Sequence, residues 1–324
     1  MAKAIVLREH GGPEALRLET ASVGAPASGQ LRIVQTAVGV NFHDCYVRSG
    51  LYRTLALPGI PGIEAAGVVE EVGADVAGFK RGDRIGYVTG SYGAYASERL
   101  LDARLAIPLP AAITNEMAAS VLVRGLTVQM LTRAVHRVTA GDRVLVHAAA
   151  GGVGRMLCQA LKHLGAFVIG TAGSAEKAAV ARAAGCDETI LYREQDFVAE
   201  VAAITEGRGV AVAYDSVGKD TFAGSLACLG VRGHLVNFGQ ASGPVAPFEV
   251  SRLAARSNSV TRPILFHYLA DNAERNAMVR ALFDALVGGV LTVEGVTRFP
   301  LSGVGHAHAT LEDRRASGPA ILIP

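Results

Sequence analysis

The sequence predicts an α/β protein: a doubly wound parallel sheet in the middle of the chain, joined to a β-rich region. Three observations predict it. Strand and helix patterns alternate from Gly141 onward, an apolar strand runs into a glycine turn at residues 148–154, and β-favouring runs dominate the first third. At 324 residues the chain has room for two domains and a core that needs no staple.

Residues 1–9 read as a first strand, without the long apolar run and small-residue cleavage site of a secretory signal, so a cytoplasmic location is expected. Residues 31–38 and 65–73 are further strands, and Gly82-Asp83 turns the chain into another at 84–88. Thr114 offers a helix cap, but Glu116 stands one position short of a full capping box. Helical segments are expected over 118–122 and 127–134. Strands then follow at 143–148, 166–171, 189–192, 210–215 and 234–238, with helices at 153–164 and 175–184. Beyond residue 262 the pattern becomes helix and short strands, ending in Ala320-Ile321-Leu322-Ile323. The expected division is 1–124 completed by 266–324, with 125–265 between.

Half of the residues are hydrophobic and 19% are charged, which fits a globular chain. Its 31 basic and 29 acidic residues are interspersed, so Arg314-Arg315 reads as a local feature and a nucleic-acid surface is not expected. No uncharged apolar run reaches the roughly 18 residues that a membrane span needs. Cys45, Cys158, Cys186 and Cys228 show no Cys-x-x-Cys spacing, so neither a zinc knuckle nor a dithiol redox site is indicated.

The most informative segment is Val144 to Gly154. An apolar strand enters the turn Ala149-x-Gly151-x-x-Gly154, a dinucleotide fingerprint whose first glycine is replaced. Gly151 lets the backbone approach a pyrophosphate, Gly154 lets helix and strand pack closely, and the helix N-terminus supplies N–H donors. An NAD site has an acid about 20 positions further on. Here Thr171-Ala172-Gly173-Ser174 carries none, and Lys177 stands in the first helical turn, where the dipole disfavours a cation. Either a 2′-phosphate accounts for it or Lys177 is a solvated lysine offset by Glu176; the first is the better fit, so the expected cofactor is NADPH. The other strand ends offer Tyr192, Ser216-Val217 and Phe238-Gly239 to the ligand crevice.

The chain resembles the medium-chain alcohol dehydrogenases. Asn41 stands in the segment Gly39-Val40-Asn41-Phe42-His43-Asp44 where that superfamily carries a zinc-ligand cysteine, and Ile63 replaces the histidine of its Gly-His-Glu segment. Isoleucine cannot ligate a metal, so no metal is expected. The run from Asn41 to Tyr52, the glycine turn, Tyr214-Asp215-Ser216-Val217-Gly218 and Thr261-Arg262-Pro263 narrow the resemblance to the NADPH:quinone oxidoreductases of the zeta-crystallin-like branch.

That resemblance implies a GroES-like catalytic domain, a Rossmann domain and a homodimer. Carried over by position, it assigns Lys177, Tyr192 and Arg314 to the 2′-phosphate. Asn41, Phe42, Tyr46, Thr127, Met130, Gly151, Gly152, Val153, Gly154, Gly173, Ser174, Ser216, Val217, Phe238, Gly239, Leu265 and Phe266 fall to the rest of the cofactor site. Asn41, Tyr46 and Tyr52 border the quinone pocket as catalytic candidates. Arg124 departs from the lysine often found before Gly-Leu-Thr, and Met130 from a tyrosine. Two other functions keep the same cofactor: reduction of an enone or enoyl double bond, and a non-enzymatic NADPH-binding, RNA-associated role.

Overall fold

A computed structural model describes residues 1–313 and 318–324. The chain divides into two compact units, Met1–Val123 with Val293–Pro324, and Arg124–Thr292.

In the first unit, β1 (Ala2–Leu7) pairs antiparallel with β2 (Leu16–Ala21). The long strand β3 (Gln30–Val40) buries Leu31, Ile33 and Gln35 alternately, then every residue from Ala37 to Val40. This change from one-sided to two-sided burial marks where β3 leaves the sheet surface and enters the core. The chain then forms α1 (Phe42–Ser49) and returns as β4 (Glu64–Val72), antiparallel to β3 with Val38 opposite Ala65. Strands β5 (Arg84–Val88), β6 (Glu98–Asp102) and β7 (Ile107–Pro108) follow.

Helix α2 (Asn115–Gln129) opens on Thr114, whose hydroxyl accepts from the Met117 N–H at 3.1 Å: the half of the cap that the sequence offers. The expected two helical segments are one helix, running directly into a π turn, Met130–Val135. Gly125, in the helix interior, is explained by crowding: a methyl group there would collide with the Leu282 side chain.

The second unit alternates strand and helix. Its elements are β8 (Arg143–Val146), α3 (Gly152–His163), β9 (Phe167–Ala172), α4 (Ala175–Ala183), β10 (Glu188–Leu191), α5 (Phe197–Ile204), β11 (Val210–Asp215), α6 (Phe222–Ala227), β12 (Leu229–Asn237), β13 (Ser259–Thr261), α7 (Leu265–Tyr268) and α8 (Asn272–Val287). The six strands pair in parallel in the order β10-β9-β8-β11-β12-β13. Numbered within the unit that order is 3-2-1-4-5-6, the Rossmann arrangement, whose switch point lies between β8 and β11. Strand β12 begins earlier than the sequence suggests, because Arg232 takes a left-handed φ of 59° and lets the strand bend.

The chain then rejoins the first unit with β14 (Thr297–Pro300), α9 (Val304–Glu312) and β15 (Ala320–Ile323). Strand β15 lies between β14 and β3 in a sheet ordered β14-β15-β3-β4-β5-β7, with β6 also on β3. Ile5, Leu7, Leu31, Ile33, Tyr87 and Leu322 share its core. Each buried aliphatic side chain contributes about 1.5–3 kcal/mol.

Candidate active site

The glycine turn is set by its strand. Val144, Leu145 and Val146 are buried, which fixes β8, and the chain reverses at Ala148 with a left-handed φ of 52°. The Gly151 N–H closes the turn on the Ala148 carbonyl at 2.8 Å, and Gly151 caps α3. A methyl group at Gly154 would fall inside the contact distance of that same carbonyl, so α3 starts hard against the strand end. Its first-turn N–H groups have no acceptor within the helix and carry its positive pole. Arg124 is buried beside them: its Nε lies 2.9 Å from where a Gly152 Cβ would stand. A cation at this pole opposes the dipole and suits a site built for an anion. N–H donors, a bare glycine surface and a guanidinium therefore fit a pyrophosphate. The sequence singles out Arg124 only as a departure from lysine; its neighbour Gly152 is remote along the chain.

At the next strand end stands a hydroxyl rather than an acid. Thr171 Oγ1 is 3.1 Å from His147 Nδ1 and accepts from the Ala148 N–H at 3.3 Å. Ser174 caps α4, its hydroxyl accepting from the Lys177 N–H at 3.4 Å. The Tyr192 N–H reaches the Ala172 carbonyl at 3.2 Å, and its hydroxyl lies 2.9 Å from the position a Gly173 Cβ would take. Gly173, Ser174, Lys177 and Tyr192 are thus gathered around one strand end. Arg314 lies outside the described residues.

The third group lines the switch point. Buried Asp215 accepts from the Val217 and Gly218 N–H groups at 2.9 Å and from the hydroxyls of Thr221 and Ser225 at 2.8 and 2.9 Å. Ser225 in turn meets His147 Nε2 at 2.9 Å. Ser225 donates to Asp215, so His147 donates through Nε2 and accepts from Thr171 through Nδ1. Burial lowers the His147 pKa, partly opposed by Asp215, which favours this neutral form. Ser216 and Gly239 are in backbone contact, since a Gly239 methyl would collide with the Ser216 carbonyl. The Phe238 N–H bonds the Asp215 carbonyl at 2.9 Å, and Arg262 holds the Asn237 and Gly239 carbonyls at 3.0 and 3.2 Å. Thr127 and Met130 are buried in α2 and the π turn, and Leu265 and Phe266 open α7.

In the first unit, Asn41 caps α1. Its N–H donates to Asp44 Oδ2 at 2.8 Å, and its side-chain Nδ2 donates to Glu64 Oε1 at 2.7 Å. Glu64 is itself buried at 1% exposure, and its Oε2 accepts from the Val123 N–H at 2.7 Å. Gly39 leaves the room, because a methyl there would strike both Glu64 and the Ala119 carbonyl. Glu64 therefore fixes which way the Asn41 amide points. Along α1, Phe42 and Tyr46 pack at 6.1 Å between ring centroids, and Tyr46 meets Tyr52 edge-on at 5.1 Å. His43 stacks on Tyr92 at 5.9 Å and reaches its hydroxyl through Nε2 at 3.2 Å; Thr54 bonds the same hydroxyl. Burial pushes His43 down to about 4, so it is neutral near pH 7. All three catalytic candidates, with Phe42, share this region, and His43, Tyr92 and Glu64 join them.

Beneath α1 runs a buried polar chain. Tyr95 donates to Asp44 Oδ2 at 3.0 Å and meets His308 Nε2 at 2.9 Å. Its single proton goes to Asp44, so His308 donates through Nε2. Nδ1 then accepts from Arg48 at 3.4 Å, with the Cys45 thiol at 3.5 Å. Arg48 forks onto Glu312 at 2.6 and 3.0 Å. Burial, then the Arg48 charge, push His308 down to about 3 from an ordinary value of 6.5. Between these values the unfolded chain takes up a proton that the fold refuses. Stability from this group is complete above about pH 6.5 and falls as pH drops toward about 3. Acid unfolding followed by circular dichroism should show that loss, and His308→Gln, which keeps a donor and an acceptor, should flatten it.

Comparison with known proteins places this geometry. A sequence profile described as "Alcohol dehydrogenase GroES-like domain" matches residues 27–111, and one described as "Zinc-binding dehydrogenase" matches 152–283. A quinone oxidoreductase of Pseudomonas aeruginosa is 43% identical, with 100% of both chains covered. The chain belongs to the quinone oxidoreductase family. A quinone oxidoreductase structure from Escherichia coli, complexed with NADPH, superposes at a TM-score of 0.96, with 42% identity and 100% of both chains covered. A 2-haloacrylate reductase from a Burkholderia species is 42% identical, covering 100% of this chain and 99% of its own. Asn41 and Ile63 are both buried, at 7% and 1% exposure. Among the described residues, no group of three or more His, Cys, Asp or Glu converges as a metal site. No described helix is long and apolar enough to cross a membrane.

Proposed function

We propose that this protein is an NADPH-dependent quinone oxidoreductase that uses no metal and acts as a cytoplasmic homodimer. The observation that carries the reading is the strand end of β9, where Thr171, Ser174, Lys177 and Tyr192 offer hydroxyls and a cation, the strand itself ends on no acid, and the nearby Glu176 carboxylate is engaged by the Ser174 side chain. Ribose 2′-hydroxyl recognition calls for an acid there; a 2′-phosphate calls for the groups present. The α3 N-terminus and Arg124 hold the pyrophosphate, and the 216–217 and 238–239 loops shape the switch-point crevice.

Bound NADPH supplies hydride, and the protein supplies alignment and polarity. Asn41, with its amide held by Glu64, hydrogen-bonds the quinone oxygen that gains charge, and Tyr46 delivers a proton or orients the water that does. Tyr52, edge-on to Tyr46, borders the quinone. A quinone becomes aromatic on reduction and needs little help from a Lewis acid, which suits a site with Asn41 and Ile63 in place of ligands.

NADPH absorbance in the presence of a simple quinone tests the reading directly. Rapid oxidation is expected, with Tyr46→Phe and Asn41→Ala each lowering turnover about tenfold or more. Turnover unchanged in both variants would remove these residues from the chemistry. Lys177→Ala should weaken NADPH binding about tenfold, the loss of one charge-assisted hydrogen bond, and leave NADH binding unmoved. Equal losses for both nucleotides would refute the 2′-phosphate role. Reduction of an activated double bond is a second reading, favoured by the similarity to a 2-haloacrylate reductase. An enone reduced in preference to the quinone would replace the first reading with it.

A further inference from the structure

Cys158 and Cys186 stand 28 positions apart, a spacing that signals nothing, yet the fold sets their sulfurs 3.3 Å apart. The spacing along the chain, which indicates no dithiol redox site, gives no sign of this pair. Cys158 lies on the buried face of α3, and Cys186 follows α4 in the turn toward β10. Two glycines make the approach possible. Gly185, at a φ of 108°, folds the chain onto α3, where a methyl group would stand 2.9 Å from Lys162 Cβ and 3.2 Å from the Cys158 carbonyl. Gly170 of β9 leaves space for the other sulfur: a methyl there would be 2.6 Å from Cys186 Sγ and 2.8 Å from Ala149 Cβ. The sulfur pair therefore touches α3, β9 and the neighbourhood of the residue that opens the dinucleotide turn. Both side chains are free thiols, and neither belongs to the site above.

We propose that Cys158 and Cys186 form a two-electron redox couple, oxidised by a small hydroperoxide to an intramolecular disulfide that weakens nucleotide binding. Cys186 keeps 7% exposure against none for Cys158, so it is the sulfur an oxidant reaches. Its sulfur attacks the peroxide, the O–O bond breaks, and Cys186 becomes a sulfenic acid as water or an alcohol leaves. The Cys158 sulfur then attacks Cys186, the S–S bond forms, and the S–O bond breaks with the hydroxide taking up the Cys158 proton as water. Two thiols and one hydroperoxide thus give one disulfide, one alcohol or water from the peroxide, and one further water. The Cys186 hydrogen bond, then burial, raise the Cys158 pKa well above a thiol's ordinary value, so its proton leaves with the departing hydroxide. Closing 3.3 Å to the roughly 2.05 Å of a disulfide draws Cys186 toward α3 and off Gly170, the β9 residue that also faces Ala149 of the dinucleotide turn. The glycine turn loses its backing, and its N–H groups lose their aim.

The test treats the native full-length protein with hydrogen peroxide, alkylates remaining thiols in denaturant and maps peptides by mass spectrometry. The expected result is a linked pair of peptides carrying Cys158 and Cys186, separated by a thiol reductant and absent in Cys186→Ala. Recovery of both cysteines alkylated, or Cys186 driven to sulfinic acid without linkage, would overturn the proposal. A second arm titrates NADPH by fluorescence and expects about tenfold weaker binding after oxidation, restored on reduction. Linkage with unchanged affinity would overturn the regulatory half. This arm rests on the nucleotide reading, which fails separately if untreated protein does not bind NADPH; the peptide map stands without it.

Discussion

Gly154→Ala should abolish measurable NADPH binding, weakening it by at least about 100-fold, or about 2.7 kcal/mol. The added methyl meets the Ala148 carbonyl oxygen and the backbone carbons of Ala148 and Ala149, none of which can rotate away. Helix α3 must therefore back off from the strand end, taking its first-turn N–H groups with it. Gly152→Ala is the informative control. Its methyl meets only the Arg124 side chain, at 2.9 Å from Nε, which can yield. That variant should bind NADPH only a few-fold more weakly. Fluorescence titration and thermal unfolding of both proteins make the comparison. Equal, small losses in the two would mean that the turn serves packing alone.

Glu64→Gln should cut quinone turnover about tenfold and lower stability by about 1–3 kcal/mol, while NADPH affinity changes less. Both carboxylate oxygens accept from N–H donors, Asn41 Nδ2 on one side and the Val123 backbone on the other. A glutamine amide must turn its NH2 toward one of them, setting donor against donor inside the core. Facing Asn41, it frees the amide to rotate; facing Val123, it strains α2. Steady-state turnover, with thermal unfolding alongside, checks this. A variant with full stability and full activity would remove Glu64 from the positioning of Asn41.

What the sequence made legible was local. The apolar run of β8, the turn and α3 lie within some twenty residues, and their periodicity and glycine placement require that order. The missing acid after Thr171 and the first-turn Lys177 could be read for the same reason. Glu64 was visible beside Ile63, but its bond to Asn41 depends on the register that sets Val38 opposite Ala65. Register is a property of pairing, and no single segment carries it. Arg124 and the Cys158–Cys186 pair were hidden in the same way, since spacing rules detect only residues that neighbour each other along the chain. His308 was hidden further still, reaching α1 from α9. The break expected within α2 had a local cause: Gly125 lowers helix propensity, and packing against Leu282 overrides it.

The strand order of the first unit has a consequence for biosynthesis. Strand β15 is inserted between β14 and β3, with Leu322 opposite Val38. Until the ribosome has delivered residues 320–323, the Val38–Val40 end of β3 waits unmatched on the edge whose other end β6 covers. The second unit draws all its strands from one continuous stretch and can close its sheet while the chain is still growing. The nascent protein should therefore acquire a folded nucleotide-binding unit first and hold its N-terminal strands, with their apolar faces exposed, for the longest time. That interval is when a chaperone would serve this chain most.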